Sequence, residues 1–193
     1  MSEDMRTYVK NVIEAEGKVE DMKTQVSHMD MLAYQDALTH VKNRAWYEKT
    51  QTRIDESIIN GNARFGIVMI DLNNLKKIND SYGHERGNDY IFGACHHICV
   101  TYDHSPVFRI GGDEFVVLLE NRDYDNRQEL LQQLKATFEI IQADETREPW
   151  EKYSAAVGMT IYDRNFDKSL NDVFKRADEL MYKDKMESKM ARN

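Results

Sequence analysis

Apolar residues follow two different spacings along the chain, and the change falls near residue 35. In the first 35 residues they recur at steps of three and four, the heptad spacing of a helix that packs along one seam. These positions are Met5, Tyr8, Val12, Ala15, Val19, Met22, Val26, Met29 and Ala33. The pattern predicts a dimerising coiled-coil helix over residues 1–35. The alternative is an amphipathic helix that packs on its own domain.

Beyond residue 35, apolar runs of strand length alternate with segments of helical spacing. The predicted strands are residues 65–70, 107–110, 115–119 and 153–161. The predicted helices are residues 46–59, 72–78, 90–102, 130–141 and 173–189. Glycines between the second and third strands indicate a hairpin, and Gly158 interrupts the last strand. This order of elements predicts an α/β sandwich with a partly antiparallel sheet.

Composition and charge narrow the function classes. The 193 residues are 41% hydrophobic and 31% charged, as in an ordinary globular protein. We expect neither a membrane-spanning segment nor a signal peptide, because no sufficiently long apolar run occurs. The net charge of -8 argues against a nucleic-acid or anionic-membrane partner. With only two cysteines, no disulfide framework is expected, and we expect a cytoplasmic protein.

Three acidic residues stand at strand ends among apolar neighbours. Asp71 ends the first apolar run, and Asp113 and Glu114 follow Gly111 and Gly112 at the hairpin tip. If the two strands are neighbours, the carboxylates converge, repel one another and need a cation. Mg²⁺ suits a compact oxygen site of this kind and binds substrate phosphates as well. The alternative is a tight turn whose acids cap the backbone.

The segment after Asp71 adds candidate ligands for phosphate and for a base. Lys76 falls about one helical turn past Asp71, where it can meet a phosphate near a helix N-terminus. Asn79 offers a donor and an acceptor, which suits the edge of a base. The alternative places Lys76 on a solvated helix face and lets Asn79 and Asp80 end the helix.

Four segments, in order, resemble the GGDEF family of diguanylate cyclases. Residues 109–115 (RIGGDEF) resemble the family signature, and residues 36–44 resemble its opening motif. Residues 71–88 resemble its metal, phosphate and base segment, and residues 177–185 resemble its last helix. Four motifs in register over about 150 residues are far more specific than any one of them.

The resemblance implies a catalytic domain over residues 36–193. Its fold would be a five-stranded, mostly antiparallel sheet flanked by helices, similar to class III nucleotidyl cyclases and polymerase palms. Two protomers of a homodimer would each hold one GTP, and each 3′-hydroxyl would attack the α-phosphate of the other GTP. Cyclic di-GMP and two pyrophosphates would form with Mg²⁺, or with Mn²⁺ in its place.

The resemblance also implies the context and the rival functions of such a domain. In a full-length bacterial protein, an upstream sensor domain would act on the N-terminal helix, and this chain would be its cytosolic part. One rival function is a catalytically weak module that binds nucleotide and relays signals. Another is a cyclase with relaxed choice between GTP and ATP.

The resemblance assigns roles to particular residues. Asp71, the Leu72 carbonyl, Asp113 and Glu114 would be the metal ligands. Asp113 and Glu114 would also be catalytic, as acceptors of the 3′-hydroxyl proton. The residues that would bind substrate are Lys76, Asn79, His84, Asn88, Gly111, Gly112, Lys185 and Lys189.

Several positions depart from the family pattern. Asn88 stands where the family usually has an Asp that reads guanine, and an amide can also pair with adenine. Tyr102 and Ser105 stand where many members have the Arg and Asp of a product-binding motif, so we expect no product inhibition through that site. His40 stands where a Gly is common, and we expect it to adopt a left-handed conformation.

Overall fold

The computed structural model describes residues 3–190 of the chain. The outermost residues of the two predicted domains, 1–2 and 191–193, lie outside the described residues. The chain divides into two compact units, Met1–Gln35 and Asp36–Asn193.

The first unit is a single helix, α1 (Glu3–Tyr34). The side chains at all nine predicted heptad positions are exposed, and those of the seven larger residues range from 37% at Val12 to 68% at Met29. The helix is therefore confirmed, and its apolar seam is open to a partner, although the coiled coil itself stays a prediction. No helix among the described residues is both long and apolar enough to cross a membrane.

The second unit is a five-stranded sheet with helices on both faces. Its strands are β1 (Lys42–Asn43), β2 (Gly66–Leu72), β3 (Val107–Arg109), β4 (Glu114–Leu119) and β5 (Ala155–Ile161). Its helices are α2 (Arg44–Ile59), α3 (Leu75–Tyr82), α4 (His84–Thr101), α5 (Asn121–Asp125), α6 (Arg127–Ala143) and α7 (Leu170–Met190), with a 3₁₀ turn at Pro149–Glu151.

The strand order is β1-β3-β4-β2-β5. β1 and β3 are parallel, and every other neighbouring pair is antiparallel, which confirms the expected mostly antiparallel sheet. β2 is buried at all seven positions because α4 and α6 cover one face of the sheet and α2 and α7 cover the other. Burial on both faces explains why its sequence is a continuous apolar run.

The differences from the predicted elements lie at short segments and boundaries. The predicted helix start at Leu72 is wrong, because Leu72 still pairs with Ala155 in the sheet and α3 begins at Leu75. β1, α5 and the 3₁₀ turn are too short to produce a period in the sequence. His40 adopts the expected left-handed conformation, with φ of 59°.

Gly158 marks the place where α7 lies directly on β5. A Cβ atom at Gly158 would overlap the Ala177 carbonyl oxygen and the Met181 amide of α7. The glycine in the last strand is therefore a close helix contact and not the end of the strand.

We expect Gly158→Ala to destabilise the folded chain by about 1–3 kcal/mol, because the added methyl group forces α7 away from β5. The measurement is urea-induced unfolding. The matched control is Gly17→Ala, since a Cβ at Gly17 meets nothing within 4 Å. Equal unfolding midpoints for Gly158→Ala and wild type would contradict the close contact.

Candidate active site

β2 and β4 place two acidic residues opposite each other at one end of the sheet. Asp71 is in register with Glu114. The Leu72 amide donates to the Asp113 carbonyl oxygen over 2.9 Å, so Asp71 and Glu114 form a pair without mutual backbone hydrogen bonds. Side chains lie closest in such pairs and project from the same face. Here that face is the one covered by α7.

The glycines of the signature turn have different surroundings. A Cβ atom at Gly111 would overlap the Glu114 carboxylate, which is turned over this glycine. A Cβ at Gly112 would meet nothing within 4 Å, so the space expected for a nucleotide is open at this position. The turn is closed by a hydrogen bond of 3.0 Å from the Ile110 amide to the Glu114 carbonyl oxygen.

Lys185 of α7 neutralises the buried acid. Its Nζ atom donates to Asp71 Oδ1 over 2.7 Å, and the Asp71 side chain is only 11% exposed. A carboxylate buried to this extent needs a positive partner or a metal ion. The last predicted helix therefore reaches the acidic strand end, and the phosphate-binding role of Lys185 stays a prediction.

Negative charge is concentrated around Glu114. Burial raises the pKa of Glu114, and the carboxylates of Asp113, Asp71 and Asp178 raise this pKa further, while Lys185 opposes them. Asp178 lies on α7, and the sequence analysis did not single it out, although it stands inside the quoted final-helix motif. The excess of carboxylates over cations favours the binding of a metal cation.

A cavity of about 230 Å³ adjoins these acids. Five of the expected site residues line it: Leu72, Lys76, Asp113, Lys185 and Lys189. Lysines from α3 and α7 thus face one space beside the signature turn. The charged residues of this lining are three lysines and one carboxylate, Asp113, a balance that suits a chain of phosphates.

The residues expected at the base lie further along α3 and at the start of α4. The Asn79 amide packs directly on Gly87, where a Cβ would overlap its Oδ1 atom. His84 and Asn88 are exposed on α4, on either side of Gly87 in the chain. Gly83, with φ of 86°, ends α3 and lets α4 start at once. The short link brings Asn79 next to the helix that carries Asn88.

The donor set fits a hard divalent cation. Asp71, Asp113 and Glu114 supply carboxylate oxygens, and the Leu72 carbonyl points to the same side of β2 as its amide, toward the signature turn. Among residues 3–190, however, no three His, Cys, Asp or Glu side chains already converge as a ligand set. Asp71 instead accepts a hydrogen bond from Lys185, and the Glu114 carboxylate lies against Gly111.

Arg109 connects the signature turn to the opening motif. Its guanidinium donates to Asp36 Oδ1 over 2.9 Å and to the Gly112 carbonyl oxygen over 2.7 Å. Asp36 Oδ1 also accepts from the Thr39 amide and hydroxyl. Burial alone would raise the pKa of Asp36, but hydrogen bonds from Thr39 and Arg109 outweigh burial and lower it. Both motifs stand out in the sequence, but 73 positions separate Asp36 from Arg109, so their contact could not be predicted from it.

A larger cavity, of about 590 Å³, lies between α2 and the segment before β3. We place the active site at the smaller cavity, because the acids and the lysines meet there. In the larger one Arg53 is already paired with Glu120 over 2.9 Å. Ser105 lines the larger cavity, and Tyr102 is buried in the core. The absence of product inhibition at these two positions stays a prediction.

This fold and site define a class. A five-stranded mixed sheet flanked by helices, with acids at one end of a central strand, is the nucleotidyl cyclase palm fold. The sequence model of the family described as "Diguanylate cyclase, GGDEF domain" matches residues 33–191. The chain therefore belongs to the GGDEF family, as its motifs predicted. Diguanylate cyclases of this family use a divalent metal ion.

Individual relatives differ in their stated activities. "Diguanylate cyclase DgcS" of Shewanella oneidensis is 38% identical over 98 residues, which are 50% of this chain and 33% of that protein. "Cyclic di-GMP phosphodiesterase PdeR" of Escherichia coli is 39% identical over 93 residues, which are 47% of this chain and 14% of that protein. The chain thus spans about a third or less of the length of these relatives.

The fold is similar to that of a solved structure that contains a coiled coil and a GGDEF domain. The crystal structure of the coiled coil and GGDEF domain of DgcB from Caulobacter crescentus, in complex with c-di-GMP, has a TM-score of 0.77 to this chain. The match covers 93% of this chain and 95% of that one, at 19% identity. At 19% identity, this similarity is evidence for a shared fold and for nothing more specific.

We expect Asp36→Asn to destabilise the folded chain by about 1 kcal/mol at pH 7. Because the pKa of Asp36 is lower in the folded chain than in the unfolded chain, its charge stabilises the fold above the unfolded carboxyl pKa. That stabilisation is lost as the pH falls through the folded pKa. The difference between wild type and Asp36→Asn should therefore shrink below about pH 4.

The measurement for Asp36 is urea-induced unfolding at pH 7 and at pH 3. The exposed Asp80→Asn on α3 is the matched control for the loss of one charge. A difference that is equal at the two pH values would contradict a charge-dependent bond between Asp36 and Arg109.

Proposed function

We propose that this chain is a diguanylate cyclase that condenses two GTP molecules into cyclic di-GMP and two pyrophosphates. The observation that carries the proposal is the cavity in which Asp113 meets lysines from two helices beside the Asp71–Glu114 pair. Acids for a cation and lysines for phosphates in one place are what a nucleoside triphosphate needs.

The lysines would hold the triphosphate. Lys76 lies in the first turn of α3 beside the cavity, and Lys185 and Lys189 approach from α7, one turn apart. Lys185 would exchange its bond to Asp71 for a bond to a phosphate oxygen when a cation takes its place at Asp71. As compact point charges, lysines tolerate this change of partner better than an arginine fork would.

The acids would act on the metal and on the attacking hydroxyl. Asp71, Asp113, Glu114 and the Leu72 carbonyl would hold Mg²⁺, with Mn²⁺ as the alternative. A bound divalent cation supplies charge stabilisation for the attacking and leaving oxygens. Asp113, together with Glu114, would accept the proton of the 3′-hydroxyl, and the raised pKa of Glu114 supports this role.

Asn79, His84 and Asn88 would form the guanine end of the site. They lie along α3 and the first turns of α4, beyond Lys76 in the segment that begins at Asp71. Gly112 would leave room for the nucleotide at the turn, which agrees with the open space around it.

The reaction requires two copies of the chain, because the hydroxyl that attacks one GTP belongs to the GTP of the other copy. The exposed heptad seam of α1 would bring the two copies together as a parallel coiled coil. The coiled coil named in the DgcB structure supports this role for α1. We further propose that a sensor domain acts on α1 and that the reaction takes place in the cytoplasm, where GTP is present.

The test is to incubate the purified chain with Mg²⁺ and GTP and to identify the product by mass. We expect cyclic di-GMP, and Asp113→Asn should reduce its rate of formation by about a hundredfold or more, because it removes a carboxylate from the reacting centre. Asp103→Asn, in an exposed loop, is the matched control and should leave the rate unchanged.

Activity of Asp113→Asn close to that of the wild type would contradict the site. No product from a chain that is dimeric and binds GTP would contradict the cyclase and favour a relay module. The similarity to PdeR, which is named for a different activity, supports keeping that second function in view.

We expect Asn88→Asp to raise the selectivity for GTP over ATP by about tenfold, because a carboxylate accepts from both guanine donors and cannot donate to adenine. The measurement is the ratio of kcat/KM for the two nucleotides. The exposed Asn62→Asp, after α2, is the matched control. An unchanged ratio would show that Asn88 does not read the base.

A further inference from the structure

The residue next to Lys185 on α7 also reaches the sheet. Asp184 Oδ2 accepts a hydrogen bond from the Val157 amide of β5 over 2.8 Å. Asp184 Oδ1 accepts another from Lys135 Nζ of α6 over 2.6 Å, and the Asp184 side chain is only 25% exposed. One carboxylate therefore joins β5, α6 and α7 through bonds that are roughly twice as strong as neutral ones.

The position of β5 explains why the Val157 amide needs this partner. β5 is the last strand of the sheet, so one of its edges has no neighbouring strand. The Asn73 amide donates to the Ser154 carbonyl oxygen over 2.8 Å, which fixes the alternation of bonds between β2 and β5. In that alternation Val157, opposite Ile70, directs its amide away from β2. Asp184 satisfies this outward amide.

Asp184 contacts the sheet just beyond the point where the apolar packing of α7 ends. The buried residues of α7 recur every three or four positions: Leu170, Val173, Ala177 and Met181. The next positions of the same inward stripe are Asp184 and Ser188. Beyond Met181, the helix is therefore held to the sheet by the polar contacts of Asp184 and by the bond between Lys185 and Asp71.

We propose that Asp184 is a positioning residue for the phosphates of the substrate: it fixes the last turns of α7 on β5 so that Lys185 faces the phosphate cavity. This inference rests on the proposed function of that cavity. When Lys185 leaves Asp71 for a phosphate, its own bond no longer holds the helix, and the carboxylate of Asp184 keeps the backbone in place.

Asp184 acts through its neighbour and not by touching the substrate. It lines a separate cavity of about 220 Å³, together with Lys135 and Phe138. This cavity adjoins the phosphate cavity at Asn73 and Ser188, which line both.

The experiment measures binding of a non-hydrolysable GTP analogue to the full chain by calorimetry in the presence of Mg²⁺. Asp184→Ala should weaken this binding about tenfold, the size of one lost charge-assisted contact. It should leave the binding of GMP nearly unchanged, because GMP lacks the β- and γ-phosphates. The matched control is Glu187→Gln on the exposed side of α7, which should bind both ligands as the wild type does.

A double-mutant cycle with Lys185 separates positioning from a general loss of stability. If Asp184 acts through Lys185, Asp184→Ala should weaken the analogue's binding by less than about twofold in a Lys185→Ala background. An additive loss in that background, or an unchanged affinity of Asp184→Ala in the wild-type background, would overturn the inference. Should Asp184→Ala fail to fold, Asp184→Asn replaces it in the same cycle: an amide keeps an acceptor for Val157 but loses the charge, so the expected loss of analogue binding is about threefold, and it should again disappear in the Lys185→Ala background.

The two proposals fail in different ways. If the wild type forms cyclic di-GMP and Asp184→Ala binds the analogue normally, the role of Asp184 is wrong and the cyclase stands. If the wild type binds the analogue without forming product, the cyclase is wrong and the cycle still decides the role of Asp184. A wild type that does not bind the analogue would overturn both.

Discussion

The antiparallel register of β2 against β4 is the constraint on which the site depends. A shift of one residue would turn Asp71 to the opposite face of the sheet, away from Glu114 and α7. The apolar side chains of β2 pack on both faces of the sheet and hold this register. Backbone hydrogen bonds at the signature turn fix the end of the β2–β4 pair. The core thus stabilises a pair of carboxylates whose repulsion opposes folding, as is common at sites where function costs stability.

Two contacts extend this strand pair into a site. Arg109 attaches the opening motif to the carbonyl of Gly112, so the shape of the signature turn depends on a segment far earlier in the chain. Gly158 lets the backbone of α7 lie on β5, which brings Lys185 within reach of Asp71. In both cases a long-range contact, and not the local sequence, sets the position of a residue at the candidate active site.

The strands and most helices could be predicted from the sequence because their apolar residues recur with clear periods, and the acids stood out because they interrupt those periods. β1 could not be predicted, since a strand of two residues is too short to show a hydrophobic period. Asp178 and Asp184 could not either, because in the sequence they look like ordinary charges of a surface helix. Their partners, Glu114 in one case and Val157 in the other, come close only when α7 packs on the sheet.

The complete burial of β2 has a consequence for how the chain is made. β2 leaves the ribosome long before β5, its neighbour on one side, so a strand that is apolar except for Asp71 stays open along one edge while some eighty further residues are synthesised. An open apolar edge pairs readily with strands of other nascent chains. The strand that carries Asp71 is therefore exposed to pairing with the wrong strand until Ala155–Ile161 arrives.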